Sequence, residues 1–404
     1  MAVPYRMTDV RGRTHQVNAQ LRERGAAVPV LLPGGVDGFV ITRHEQLRDF
    51  LTDPDVSKAP ANFAALRRGD IPAGWPLIGF AVVPGMTTAD GADLRRLRGL
   101  VSQVITARRV EALRPRVIEL TDALLDDLAD AAAREGGVAD LRRQVALPLP
   151  LNVISELLGV DERYRAPLHR LSNVVIGAFA TPEEVVAAGQ ELPALLAEVA
   201  AERRKHPGDD LTSSLIAARE ADGDRLTDAE LIGIMQIVII AGHETTFNLI
   251  TNAVRALCAR RDQLGLLLAG TASWTQAVEE TLRFDGPLNY FPFRYPTRDI
   301  TVDGVTIPAG TPVLAGYASA GRDQCAYGAD ADSFDLTRDS SRHLSFGHGP
   351  HYCLGAPLAR LEASVAIERL FTRFPHLDIA VPDDELPRQV SFTGNTVTRL
   401  PVRI

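Results

Sequence analysis

Lysine is nearly missing from this chain of 404 residues: Lys58 and Lys205 stand against 41 arginines among 43 basic side chains. With a formal charge of −8 and no long basic run, a nucleic-acid surface is not expected. The lysine shortage, together with the many alanines, reads as a base-composition bias rather than as chemistry. Cysteine is also scarce, at three residues (Cys258, Cys325, Cys353). An odd, sparse count excludes a disulfide framework, points to a reducing compartment and leaves at least one free thiol. Long hydrophobic runs are absent too. The longest, from Leu231 to Gly242, is about half of the roughly 20 residues a membrane span needs. The N-terminal residues MAVPYRMTDVRGR lack the apolar core of a secretion signal, so a cytoplasmic protein without membrane contact is expected.

What is present is ordinary globular composition, 46% hydrophobic and 23% charged, which excludes disordered and fibrous classes. No repeat or low-complexity linker interrupts the chain, so residues 1–404 are expected to form one domain. A short strand, Gly38 to Ile41, precedes a capping-box pattern Thr42 to Glu45. Residues 59–87 are rich in proline and glycine and read as a long loop carrying Trp75, Leu77, Ile78 and Phe80. Helical patterns dominate from about 92 to 283, with breaks near Gly136-Gly137, Pro148 to Pro150 and Pro207-Gly208. No proline lies between Pro207 and Pro287, and a second capping box, Thr227 to Glu230, predicts a helix running to about Arg260. Beyond it, Asp303-Gly304 between two β-branched runs predicts a hairpin, and Gln389 to Ile404 read as strands. The fold class is mainly α with small β-sheets.

The most informative segment is Phe346-Gly347-His348-Gly349-Pro350-His351-Tyr352-Cys353-Leu354-Gly355. Its glycines let backbone fold tightly around Cys353 and let something bulky approach it. An amphipathic helix follows, whose N-terminus favours a thiolate. A buried structural cysteine is the commoner setting for such a residue. Zinc is a second reading, because His343, His348, His351 and Cys353 crowd together, although structural zinc sites usually pair their ligands. The glycine bracket suits a large planar ligand better.

Phe346-x-x-Gly349-x-x-x-Cys353-x-Gly355 resembles the heme-binding signature of the cytochrome P450 family. Three further motifs occur in that family's order. Ala241-Gly242-His243-Glu244-Thr245-Thr246 resembles its oxygen-activation motif, Glu280-x-x-Arg283 its ExxR pair, and Arg338 its later meander arginine. The resemblance covers nearly the whole chain and is to the bacterial, actinobacterial-type branch.

That resemblance implies a single-domain P450 fold, a helix-rich lobe with a small β-rich region, holding heme b (iron protoporphyrin IX). Cys353 is implied as the iron ligand, with Phe346, Gly347, Gly349 and Gly355 around it. His351, Arg98 and Arg294 are implied as propionate contacts. Leu94 departs from the pattern, which usually has a histidine four residues before Arg98. Thr245 and Glu244 are implied in proton delivery beside Ala241 and Gly242, where a missing side chain on a helix is read as opening a groove. Glu280, Arg283 and Arg338 are implied as a buried structural network. The substrate walls are implied at Trp75, Leu77, Ile78, Phe80, Val174, Val175, Phe179, Val238, Leu288, Asn289, Phe291, Ser391 and Phe392, any of which is equally at home in a core. The expectation is an oxidoreductase of secondary metabolism that hydroxylates a steroid, macrolide, polyketide or cyclic peptide. Oxidative coupling or rearrangement is the alternative within the fold, and a non-catalytic heme or zinc binder the alternative outside it. The chain has no flavin or nicotinamide fingerprint, so electrons are expected from a ferredoxin and its NAD(P)H-dependent reductase. A monomer is expected.

Overall fold

Thr227 and Glu230 close the reciprocal cap that their spacing predicts. The Glu230 N–H donates to Thr227 Oγ1 at 3.1 Å, and the Thr227 N–H donates to the Glu230 carboxylate at 2.8 Å. From there one helix runs Asp228–Ala259. The computed structural model describes residues 3–7, 13–175, 182–221, 226–339, 342–389 and 391–404. Within them the chain divides into two compact units, each assembled from three separated segments.

The first unit comprises Met1–Leu94, Arg255–Cys353 and Pro387–Thr398. Its six-stranded sheet has the order Tyr5–Arg6, Ala27–Leu32, Val36–Ile41, Val313–Ala315, Phe291–Pro296 and Val56–Ser57. The register sets Ser57 opposite Tyr295, and Arg294 opposite Val313, so the chain leaving the edge strand at Lys58 starts beside Arg294. Aromatic side chains fill one side of this sheet: Trp75 stacks on Phe293 at 5.4 Å, and Phe63 on Tyr295 at 5.1 Å. The predicted hairpin pairs Ile300–Val302 with Val305–Ile307. Asp303 and Gly304 both take positive φ, 49° and 77°, as a tight two-residue turn requires.

The second unit comprises Arg95–Val254, Leu354–Leu386 and Arg399–Ile404. Here Arg114–Arg134 packs on Ala356–Arg373, with Leu125, Leu128, Leu361 and Val365 fully buried and Arg369 paired to Asp122 at 2.8 Å on the rim. A three-stranded sheet joins Asp378–Ile379, Pro401–Arg403 and Val138–Asp140.

Three local expectations change. Thr42 does not cap a helix: it is buried at a strand end, and its hydroxyl donates to the Gly25 carbonyl at 2.7 Å. The helix starts later, His44–Thr52, and Asp323 accepts the His44 N–H at 3.0 Å. The loop at 59–87 contains three helical turns, Pro60–Asn62, Ala64–Arg68 and Ile78–Val82. Of the C-terminal strands only Pro401–Arg403 forms; the segment before it makes isolated bridges, Leu288 with Gly394 and Arg388 with Val397.

Candidate functional site

Cys353 ends the first unit on a loop that its glycines shape. Gly347 and Gly349 have φ of 74° and 71°, values a residue with a Cβ resists. A Cβ on Gly349 would also lie 2.8 Å from the Leu51 carbonyl oxygen. The folded-back loop lets the Cys353 N–H donate to the Phe346 carbonyl at 2.8 Å, and the thiol side chain stays exposed. Gly355 has an ordinary φ of −82°, so the backbone there does not itself require a glycine. Helix Ala356–Arg373 follows at once.

Beside this loop the first unit gathers cations. Arg294 is 4% exposed, and its Nη1 is buried with no hydrogen-bond partner. Such a guanidinium is what a carboxylate would satisfy. His351 Nε2 lies 3.7 Å from Asp90 Oδ1. Burial lowers the His351 pKa, Asp90 opposes that, and Lys58 and Arg294 add to it. Asp90 itself would be raised by burial. The nearby His351 and hydrogen bonds from Ser57 and the Lys58 and Ala59 amides overcome this and hold it at about 2. Lys58, 5% exposed, completes the group, with Nζ 4.8 Å from the centre of the Phe291 ring. Lys58 was not among the expected site residues, although one of two lysines in an arginine-rich chain was a visible signal. An exposed thiol on a glycine loop and an unpaired buried guanidinium together fit heme, a metal porphyrin with carboxylate arms. Arg98 lies in the second unit on helix Gly91–Val104, half-buried. Leu94 is 3% exposed on that helix's apolar stripe, with Leu97 and Val101.

In the second unit, the long helix leaves one stripe open. Ala241 is exposed, and Ile237, Val238, Glu244 and Thr245 are half-buried around it, at helical spacing. Thr245 Oγ1 donates to the Ala241 carbonyl at 2.7 Å. Gly242 does not open a groove: a Cβ there would come within 2.8 Å of Ile154 Cδ1, so the glycine serves close packing of helix Pro148–Leu157. His243 faces away from the open stripe, buried, with Nε2 3.1 Å from the Leu147 carbonyl. Burial brings its pKa down to about 4, so it is neutral. Glu244 acts electrostatically on buried Arg142, whose guanidinium lies 4.6 Å over the Phe247 ring.

The structural network is closed around Arg283. Its Nε and Nη2 donate to the two Glu280 oxygens at 2.7 Å, and its remaining N–H groups to the carbonyls of Gly321, Ala331 and Ser333. Arg338 contributes charge rather than a hydrogen bond: its Nε is 3.8 Å from Glu280, while its terminal nitrogens bind Asp330 and the Tyr327 carbonyl.

The expected substrate walls separate into two groups. Trp75, Leu77 and Asn289 are core. The Trp75 indole donates to the Pro33 carbonyl at 2.7 Å, Leu77 sits in the same apolar cluster, and Asn289 accepts from Asn18 at 2.9 Å. All three are buried, and of their polar atoms the Asn289 Nδ2 is left without a hydrogen-bond partner. Ile78, Leu288, Phe291, Ser391, Phe392, Val174 and Val238 are half-buried, and Phe80 is 41% exposed. Phe179 and the Val175 side chain lie outside the described residues. The zinc reading finds no ligand set among the described residues. His343 turns to Glu279 at 3.3 Å and His351 to Asp90. None of the described helices is long and apolar enough to cross a membrane.

Comparison with known proteins gives a consistent picture. The sequence profile described as cytochrome P450 matches residues 274–398. A 2-hydroxy-5-methyl-1-naphthoate 7-hydroxylase of Streptomyces carzinostaticus is 38% identical over 402 residues, 99% of this chain and 97% of that protein. A vitamin D(3) 25-hydroxylase of Pseudonocardia autotrophica is 40% identical, over 96% of this chain and 93% of its own. Among solved structures, CYP154C4 from a Streptomyces species superposes with a TM-score of 0.93 at 43% identity, covering 100% of this chain and 98% of that one.

Proposed function

The chain belongs to the cytochrome P450 family and is a heme monooxygenase, and from that premise we propose which of its residues do the work and on what. Cys353 is the iron ligand. The observation that carries this is its exposed thiol, held on a loop by two left-handed glycines and directly ahead of a helix N-terminus. Heme bound there supplies an iron centre that activates dioxygen, and a thiolate ligand pushes electron density that favours O–O cleavage.

The protein's own contribution lies in three places. In the first unit, the Arg294 guanidinium and His351 bind carboxylate arms of the cofactor and fix its orientation. Thr245 holds a proton on Oγ1, parked on the Ala241 carbonyl, where rotation about χ1 re-aims it into the open stripe of the helix. Glu244, one residue away and half-buried, resupplies that hydroxyl from solvent. Open apolar side chains contact substrate, and in the second unit these are Val174 and Val238. They carry no charge, which favours an apolar small molecule of the steroid, macrolide or polyketide kind. The vitamin D and naphthoate hydroxylases among the relatives support that class.

Electrons come from a redox partner. With no nucleotide-binding fingerprint in the chain, that partner is a ferredoxin with its NAD(P)H-dependent reductase, docking on a surface whose cations are arginines. The protein works as a monomer. The test is the reduced carbon-monoxide spectrum of the purified protein, followed by a screen of apolar ligands for a low-spin to high-spin Soret shift. A thiolate-type spectrum that is lost in Cys353→His, and a shift with at least one steroid or macrolide, are the expected results. A thiolate-type spectrum surviving in Cys353→His would overturn the assignment of the ligand.

A further inference from the structure

The charges around Arg294 do not balance within the protein. Lys58 and Arg294 are both buried cations, and the carboxylate facing them is Asp90. Asp90 is already engaged by Ser57 Oγ, by the backbone N–H groups of Lys58 and Ala59 at 3.1–3.2 Å, and by His351 at 3.7 Å. The Lys58 ammonium rests over the Phe291 ring at 4.8 Å, a contact that stabilises a cation without neutralising it. Arg294 Nη1 has no acceptor at all. A buried lysine and a buried guanidinium that share one occupied carboxylate are under-compensated unless a further anion joins them.

We propose that Lys58 is a ligand of a heme carboxylate, clamping it together with Arg294. The inference rests on the heme reading above and names a residue that the signature motifs do not contain. Geometry places it there. The edge strand Val56–Ser57 pairs with Tyr295 and Pro296, so Lys58 emerges next to Arg294, and the Asp90 carboxylate pins the Lys58 backbone N–H. The Lys58 backbone is thereby held in place, and its ammonium rests against the Phe291 ring, which reduces the ordering cost of binding. Burial and the neighbouring Arg294 hold the Lys58 pKa well below its ordinary value, and an anion beside the two groups opposes that shift by favouring the charged form. Because Leu94 replaces the histidine common at its position, a further cation on the carboxylate also compensates a contact this chain lacks.

The test measures heme transfer from holoprotein to apo-myoglobin for the wild type, Lys58→Met and Lys58→Arg. Each is loaded with heme and, separately, with heme dimethyl ester, whose arms carry no charge. Methionine keeps the stem volume and arginine keeps the charge. Lys58→Met should release heme about tenfold faster than the wild type, and Lys58→Arg within about twofold of it, as expected for a charge-assisted hydrogen bond. With the dimethyl ester, wild type and Lys58→Met should release at one rate. Equal release of ordinary heme by wild type and Lys58→Met overturns the proposal. So does an acceleration that persists with the ester, because it would reflect packing, or a carboxylate from another source, rather than the heme arm. If the wild type itself forms no thiolate-ligated heme complex, the heme reading fails instead, and the two failures are told apart by that control.

Discussion

The hydroxyl of Thr245 donates to the carbonyl of Ala241 one turn back along the long helix, at 2.7 Å. Ala241 is the exposed residue of that stripe, so the hydroxyl is bonded at the edge of open space and not within the core. A helical threonine tolerates this arrangement because two χ1 rotamers are accessible to it. Thr245→Ala removes the hydroxyl proton from that face but little packing. It should leave heme content and ligand-induced Soret shifts unchanged while lowering product formed per NAD(P)H by roughly a hundredfold, the low end of general acid–base effects. Thr245→Ser should retain most of the coupling. Wild-type coupling in Thr245→Ala would place proton delivery elsewhere.

Arg283 uses all five of its N–H donors, on Glu280 and on three backbone carbonyls. Lysine carries three donors on a point charge and cannot reproduce the planar fork. Arg283→Lys should therefore cost about 3–5 kcal/mol, the range for breaking one side of a buried pair, and reduce the yield of heme-loaded protein. Arg338→Ala touches the same carboxylate only through a 3.8 Å charge contact. Its expected cost is about 1 kcal/mol, in line with partly solvated pairs. Urea denaturation of both variants checks the ranking, and equal losses would contradict it.

Much of this was legible in advance where local chemistry decides the structure. The Thr227 cap, the Asp303-Gly304 hairpin and the Glu280–Arg283 pair depend on residues a few positions apart, and the sequence displays them. Failures occurred where a distant partner decides. Thr42 bonds to Gly25, leaving Asp323, some 280 residues away, to cap the next helix. Trp75 reads as a loop aromatic until Phe293 and the Pro33 carbonyl bury it. Gly242 reads as a gap until Ile154 fills it. Lys58 was seen as a compositional oddity, because its neighbours Asp90, Phe291 and Arg294 come from three distant segments. Periodicity carries no information about such meetings.

Asp285 is buried at the end of the ExxR helix and bonded to His15 at 2.7 Å, Arg255 at 2.9 Å and Asn395 at 2.8 Å. Burial alone would raise its pKa. The His15 hydrogen bond and charge, with Arg255 and Arg322, more than reverse that and hold it below the ordinary carboxylate range. A depressed carboxyl contributes stability that is fully present above the unfolded value of about 3.9 and is lost as pH falls through the lower folded value. Asp285→Asn should therefore destabilise by about 3 kcal/mol at neutral pH, as for a broken buried pair. The gap to wild type should not narrow until the pH drops below about 4. A gap that closes already near neutrality would assign the effect to His15 rather than to the carboxylate.

Leu94 stands where the family pattern usually has histidine, and restoring that histidine separates packing from charge. Its side chain is 3% exposed and continues the apolar stripe of Leu97 and Val101, so the helix buries this face. Leu94→His places an imidazole in a site built for an alkyl chain. Unless it finds a hydrogen-bond partner, a polar group buried there costs about 1–3 kcal/mol, and the leucine contacts are lost as well. Heme retention does not depend on this position if Lys58 and Arg294 already hold the carboxylate. Leu94→His should therefore lower the thermal midpoint of both apo- and holoprotein, by similar amounts, while the rate of heme transfer to apo-myoglobin stays near that of the wild type. A variant that keeps its midpoint and releases heme markedly more slowly would mean that the imidazole reaches the carboxylate after all. The present cations would then be an incomplete set.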